Sequence, residues 1–142
     1  MPSFKISTIE ETFSLDKTDA EYGLDPGSTH VRIRQASQSA NERIEALYNL
    51  VETRYNDLEP SLRIVQQKFS ITALHRTEAF LTMVSCDVED EDGKLLFDDK
   101  TLKNEELFKQ AWGKLPPLVC NEIIECIFKV NVSWNPNQGE VL

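Results

Sequence analysis

Apolar and polar residues alternate along this chain with two periods, near two at the start and between three and four afterwards. Phe4, Ile6 and Thr8 alternate with Lys5, Ser7 and Ile9, and a second short β-prone stretch follows at 12–15. Both predict extended chain. Asp25-Pro26-Gly27-Ser28 is a turn signal, because proline presets φ at the second position and glycine tolerates the third. His30-Val31-Arg32-Ile33-Arg34 then reads as a strand with Val31 and Ile33 on one face. Its two arginines predict an edge strand, or one wet on a single face.

From residue 41 to 58 the period changes. Ile44, Leu47, Tyr48, Val51, Tyr55 and Leu58 recur at spacings of three and four, the pattern of an amphipathic helix. Ser37 or Ser39 is placed to cap it, and Pro60 should stop it near Glu59. Residues 62–69 suit either a helix or a strand. The strand is preferred, because Arg63-Ile64-Val65-Gln66 echoes the earlier Val31–Ile33 piece and the two would pair. A second helix is predicted over 71–88, with Ala73, Leu74, Phe80, Leu81, Val84 and Val88 as its stripe. After the acidic bend at 89–94, Thr101 or Asp99 should cap a third helix ending at Trp112-Gly113. Pro116-Pro117 opens a fourth, rich in apolar residues from Val119 to Val130. These elements predict one α+β domain over 1–135. A small N-terminal sheet (4–37 mainly β) packs on three or four helices, 99–131 forms a C-terminal helical hairpin, and 132–142 is a flexible tail.

Composition narrows the function. The chain has 142 residues and a formal charge of −9, distributed as −4 over residues 1–29, +2 over 30–76 and −7 over 77–142. Nucleic-acid affinity comes from neutralising phosphates with Lys and Arg, so direct DNA or RNA binding is not expected. No apolar run approaches the ~20 residues that span a bilayer. The first residues, Met-Pro-Ser-Phe-Lys, show no signal-peptide pattern. Cys86, Cys120 and Cys126 lie among apolar neighbours and form no C-x-x-C pair, as packed, reduced thiols in a cytoplasmic protein would.

Catalysis finds little material. Of two histidines, His30 starts a strand and His75 sits in the second helix as a surface residue. Five glycines are few for a phosphate-cradling loop, and no nucleophile elbow, P-loop or dinucleotide fingerprint occurs. Two His and three Cys at these spacings match no zinc frame. With Gly93 at the sixth position of a calcium loop, Val88 falls first and Asp99 last; a first position needs a carboxylate, so the bend reads as a solvated turn. The expectation is a non-enzyme without cofactor or metal.

Apolar helix surface remains. Each large side chain is first a core candidate, but the fourth helix has more apolar positions than one face needs. Tryptophans often concentrate binding energy. Trp112, Leu115, Ile124, Phe128 and Trp134 are therefore the candidate partner surface. Oligomeric state is not legible, and the last helix is the surface through which copies would self-associate.

In order along the chain stand four segments: His30–Arg34 running through Gln35-Ala36-Ser37 into a helix; Thr77-Glu78-Ala79-Phe80-Leu81-Thr82-Met83-Val84; Asp90-Glu91-Asp92-Gly93-Lys94-Leu95-Leu96-Phe97; and Leu115-Pro116-Pro117 through Val130-Asn131-Val132-Ser133-Trp134. Over residues 30–135 this organisation resembles the tail assembly chaperones of long-tailed bacteriophages. The resemblance implies a protein that binds the long, hydrophobic tape measure protein in the host cytoplasm. It would keep that client soluble while tail tube protein polymerises around it, and would be absent from the mature virion. Many members of the family also exist in a longer, frameshifted form. The resemblance transfers no residue roles. Two other readings fit an acidic chain without catalytic motifs. One is a DNA-mimic inhibitor of a nucleic-acid-binding protein, although the acids cluster at 87–92 rather than along a face. The other is a structural virion or scaffold component.

Overall fold

The computed structural model describes residues 9–55 and 60–134, with the backbone alone at 50–55 and 60–70. Its elements are β1 (Glu10–Ser14), α1 (Asp16–Glu21), β2 (His30–Arg34), α2 (Gln38–Tyr55), α3 (Pro60–Thr82), β3 (Met83–Cys86), α4 (Asp99–Lys103), α5 (Glu105–Gly113) and α6 (Pro117–Val130), then a 3₁₀ turn (Val132–Trp134). The fold is α+β: a small antiparallel sheet packs against helices. The predicted strand at 4–9 (but for Ile9), the end of the 41–58 helix and the tail from 135 lie outside the described residues.

The sheet has the order β1-β2-β3. β1 pairs with β2 from Glu10↔Arg34 to Ser14↔His30. Val31 and Ile33 are fully buried, whereas Arg32 lies on the wet face and donates from Nε to Glu10 Oε2 at 2.7 Å. The wet-face reading of this strand holds. It is nevertheless central rather than an edge, because β3 pairs on its other side through Val31↔Cys86 and Ile33↔Met83, across an irregularity at Arg32/Ile33. The Asp25-Pro26-Gly27-Ser28 turn forms as predicted, with Gly27 at φ 82° and Ser28 N donating to Asp25 O at 3.2 Å.

Four helical expectations need correction. Residues 62–69 are helix, inside α3: Pro60 suits a first turn, and Leu62, Arg63, Gln66, Gln67 and Lys68 are straight-chain helix formers that outweigh Ile64 and Val65. The helix predicted over 71–88 stops at Thr82, whose buried hydroxyl donates to Glu78 O at 2.7 Å. Residues 83–86 instead become β3, because the central strand would otherwise leave a row of backbone groups unpaired. The predicted third helix is two. Asp98 Oδ1 accepts from Thr101 N at 2.9 Å to cap α4, and Asn104 Oδ1 accepts from Leu107 N at 3.1 Å to begin α5. Finally, α1 occupies a segment expected to be mainly β. Its N-cap residue, Leu15, offers no side-chain acceptor; Glu122 of α6 supplies one. Glu122 Oε2 accepts from Lys17 N at 2.8 Å, and Oε1 accepts from Thr18 N at 2.9 Å and Thr18 Oγ1 at 2.7 Å.

The core lies between the sheet and the helices. α6 runs against α1, α3 and β2, and both α5 and α3 pack together. At its centre Phe108 meets Phe80 at 5.4 Å, Phe97 at 5.1 Å and Trp112 at 6.1 Å between ring centroids. Ser37 Oγ accepts from Ala40 N at 3.2 Å, so Ser37 is the cap of α2. Cys86 and Cys126 are buried and Cys120 half-buried; burial pushes each thiol up to about 11, which suppresses the reactive thiolate.

Three carboxylates are held below their ordinary range. Glu105 is lowered by its hydrogen bond to Arg43 and Asp98 by the Thr101 cap. For Asp19 burial acts upward, but bonds from Thr29, Ser28 and Gly27 together prevail and lower it. A carboxylate more acidic when folded contributes stability above its unfolded pKa, and loses it as pH falls through the folded value. The melting temperature is therefore expected to stay nearly level from about pH 7 to pH 5 and to fall below about pH 4. Thermal melts followed by circular dichroism check this; an unchanged or higher melting temperature near pH 3 contradicts it.

Candidate functional site

The five residues predicted to form a partner surface are not exposed together. Trp112, Leu115 and Ile124 are 6–7% exposed and belong to the core. Phe128 is half-buried and packs on that core, with its ring edge against His75 at a centroid distance of 5.8 Å. Trp134 is also half-buried, and its Nε1 donates to Asn41 Oδ1 at 2.8 Å, so this part of the expected loose tail is docked on α2. The reason is α6 itself. It is enclosed by α1, α3 and β2 on several sides, so its surplus apolar positions are used internally. Leu118 stays at its surface, 36% exposed.

Apolar surface is exposed elsewhere. On α2, Asn41, Ile44, Glu45 and Tyr48 stand at positions i, i+3, i+4 and i+7 of one helix face; on α3, Ile71, Leu74, His75 and Glu78 do the same. The two stripes and Trp134 line a half-open cleft of about 540 Å³. Ile44 and Leu74 form buried walls, at 5% and 9% exposure, while Tyr48 and Ile71 are 48% and 45% exposed at the rim. An isoleucine and a tyrosine exposed on facing helices leave an apolar path open to a partner.

The cleft also holds a polar pair. His75 Nδ1 lies 2.7 Å from Glu78 Oε1, and Glu78 is 2% exposed. The short contact ties Nδ1 of the imidazole to the carboxyl group of Glu78, the tautomer deciding which of the two donates. His75 is thus bound to a neighbour three residues on and packed on Phe128, more enclosed than a surface helix histidine. Ser133 also lines the cleft, but among the described residues no hydroxyl is hydrogen-bonded to His75. Among the described residues, no nucleophile–base contact of the kind covalent catalysis uses is formed in the cleft.

A second concavity, about 630 Å³, opens between the segment after α1 and the acidic bend. Exposed Tyr22 and Leu24 line it with Asp87, Glu89 and Glu91. The bend is a turn organised by Asp90, whose Oδ1 accepts from Asp92 N and Lys94 N at 2.9 and 3.0 Å, with Gly93 at φ 79°. Among the described residues no three His, Cys, Asp or Glu side chains converge as metal ligands, and no helix is long and apolar enough to cross a membrane.

The sequence reading had Ile44 and Tyr48 within the right helical stripe, and Trp134 among its candidates. Ile71, His75 and Glu78 also lie within the helix predicted over 71–88, but the apolar stripe drawn there runs through Ala73, Leu74, Phe80 and Leu81 and leaves them out. Compared with protein-family models, curated proteins and solved structures, the chain finds no match.

Proposed function

We propose that this chain is a non-catalytic chaperone that holds an apolar helical segment of another protein in the cleft between α2 and α3. The resemblance drawn from the sequence makes that client the phage tape measure protein, with tail tube protein as a further partner and the host cytoplasm as the place of action. One observation carries the reading: Tyr48 and Ile71 stand exposed on facing helices over an apolar cleft. A helix laid between two helices buries residues from one of its faces, the helix-in-groove mode of recognition. Occupancy lowers the concentration of free client surface by mass action. Release follows when tube subunits compete for the same apolar ridge.

The experiment is co-expression with the tape measure protein, followed by measurement of the soluble client and of its affinity. Ile71→Glu is expected to weaken binding by about tenfold or more, since one large aliphatic side chain contributes ~1.5–3 kcal/mol on burial. Its circular dichroism should remain native, because the position is 45% exposed. Undiminished binding by Ile71→Glu would remove the cleft from the reading. Binding should also persist at about 1 M salt, where the Debye length is only ~3 Å. Complete release there would favour the acidic decoy instead.

A further inference from the structure

One wall of the cleft is lightly held. Among the described side chains of α2, at 38–49, Ala40 and Ile44 alone are buried, and the helix packs chiefly on α3. Its ion pair to α5, Arg43 to Glu105 at 2.8 Å, has both side chains close to half exposed and is screened by solvent. The C-terminal end of α6 supplies two firmer ties. Buried Asn131 fixes the connection from β2: its Oδ1 accepts from Ala36 N at 2.8 Å and its Nδ2 donates to Arg34 O at 3.2 Å. Three residues on, Trp134 N donates to Asn131 O at 3.0 Å and closes a turn. The Trp134 indole then reaches Asn41 Oδ1, in the first turn of α2, at 2.8 Å.

From this arrangement we infer that α2 is a flap over the cleft and that Asn131–Trp134 is the strap that holds it shut. Asn131 keeps the connection on the body as far as Ala36, so release starts beyond it, at the bond between Trp134 and Asn41. Once free, α2 loses the burial of Ala40 and Ile44. A helix of 18 residues is marginal in water by itself, so α2 opens as a local unit, below the free energy of global unfolding. Opening uncovers Ile44 on α2 and Leu74 on α3, the two buried apolar walls of the cleft. The C-terminal turn thus sets how much apolar surface the protein offers. What this means for a client rests on the docking reading above; the opening itself does not.

The test needs no client. Native-state hydrogen exchange of the full chain is read at amides 42–48 of α2 and at those of β2 and α6. In the unmodified chain the α2 amides are expected to exchange about tenfold faster or more than those of α6 and β2, after division by their intrinsic rates. Trp134→Phe keeps an aromatic ring but removes the donor. It should speed the α2 amides by about twofold to tenfold, the range for one net hydrogen bond, and leave β2 and α6 unchanged. Asn41→Ala should act alike, and the double variant should be no faster than the quicker single one. Exchange of α2 at the rate of α6 in the unmodified chain overturns the flap, and that comparison stands even where a variant fails to fold. No acceleration in Trp134→Phe, acceleration shared by every element, or additivity of the two substitutions overturns the strap. None of these outcomes touches the docking reading, which fails on its own test, undiminished client binding by Ile71→Glu.

Discussion

Phe108→Ala is expected to lower the stability of the fold by about 3–5 kcal/mol, the range for truncating a buried phenylalanine. Phe108 is 1% exposed and lies at the meeting point of three elements. Its ring contacts Phe80 of α3 edge-on, Phe97 of the loop before α4 at a tilt, and Trp112 of its own helix in a stacked arrangement. Alanine removes all three ring contacts at once, and neighbours on three different elements cannot close the gap by one local movement. Domains of this kind have total stabilities of only ~5–15 kcal/mol, so the variant loses a large share of its margin against unfolding. Urea titration followed by tryptophan fluorescence reads the effect as a lower midpoint with an unchanged slope. A loss under about 1 kcal/mol would mean that the aromatic cluster is not packed as described.

Glu122→Ala is expected to cost about 3 kcal/mol, for a different reason. It deletes little apolar contact but removes the shared acceptor of three hydrogen bonds, two from backbone amides in the first turn of α1 and one from the Thr18 hydroxyl. Thr18 is 5% exposed and Glu122 itself 7%, so water cannot readily replace the lost carboxylate. Each stranded donor carries a desolvation cost of ~1–3 kcal/mol, partly relieved by local opening. Glu122→Gln should fall between, since it keeps one acceptor oxygen but turns an amide N–H₂ toward a donor. Hydrogen exchange separates this loss from general destabilisation. The Lys17 and Thr18 amides should exchange far faster in Glu122→Ala, while amides in α5 follow only the global change. Unaltered protection at Lys17 and Thr18 would show that Glu122 does not cap α1. The nearby Lys17–Glu125 pair, 3.0 Å apart but more than half exposed on both sides, is screened by solvent and does not compensate.

The contrast between these residues explains why parts of the candidate surface were misread. Phe128 looked like an exposed aromatic on a helix with apolar positions to spare. In the fold it rests on the core and against His75, so an aspartate there should damage folding as well as any docking. Trp134 was expected in a loose tail, yet its indole is tied to Asn41, 93 residues away. Asn104, in contrast, was a legible signal passed over: an asparagine three residues before Leu107 is a good helix start, and it divides what had been read as one helix.

Local patterning alone determined the Pro-Gly turn at 25–28, the one-sided strand Val31–Ile33, the amphipathic stripe of α2 and the proline-opened α6. In the turn and the helices the groups that satisfy the backbone lie within a few residues, and in the strand the two-residue alternation alone marks the buried face, so propensity and periodicity suffice. Tertiary structure decided the rest. Met83–Cys86 became a strand because β2 had an unpaired edge. Asp16–Glu21 became a helix because a carboxylate over a hundred residues away accepts its first amides. The apolar surplus of α6 went inward because α1, α3 and β2 enclose it, leaving the open apolar path between α2 and α3. Partners brought together only by folding leave no periodic trace in the chain, and those partners set both the third strand and the position of the cleft.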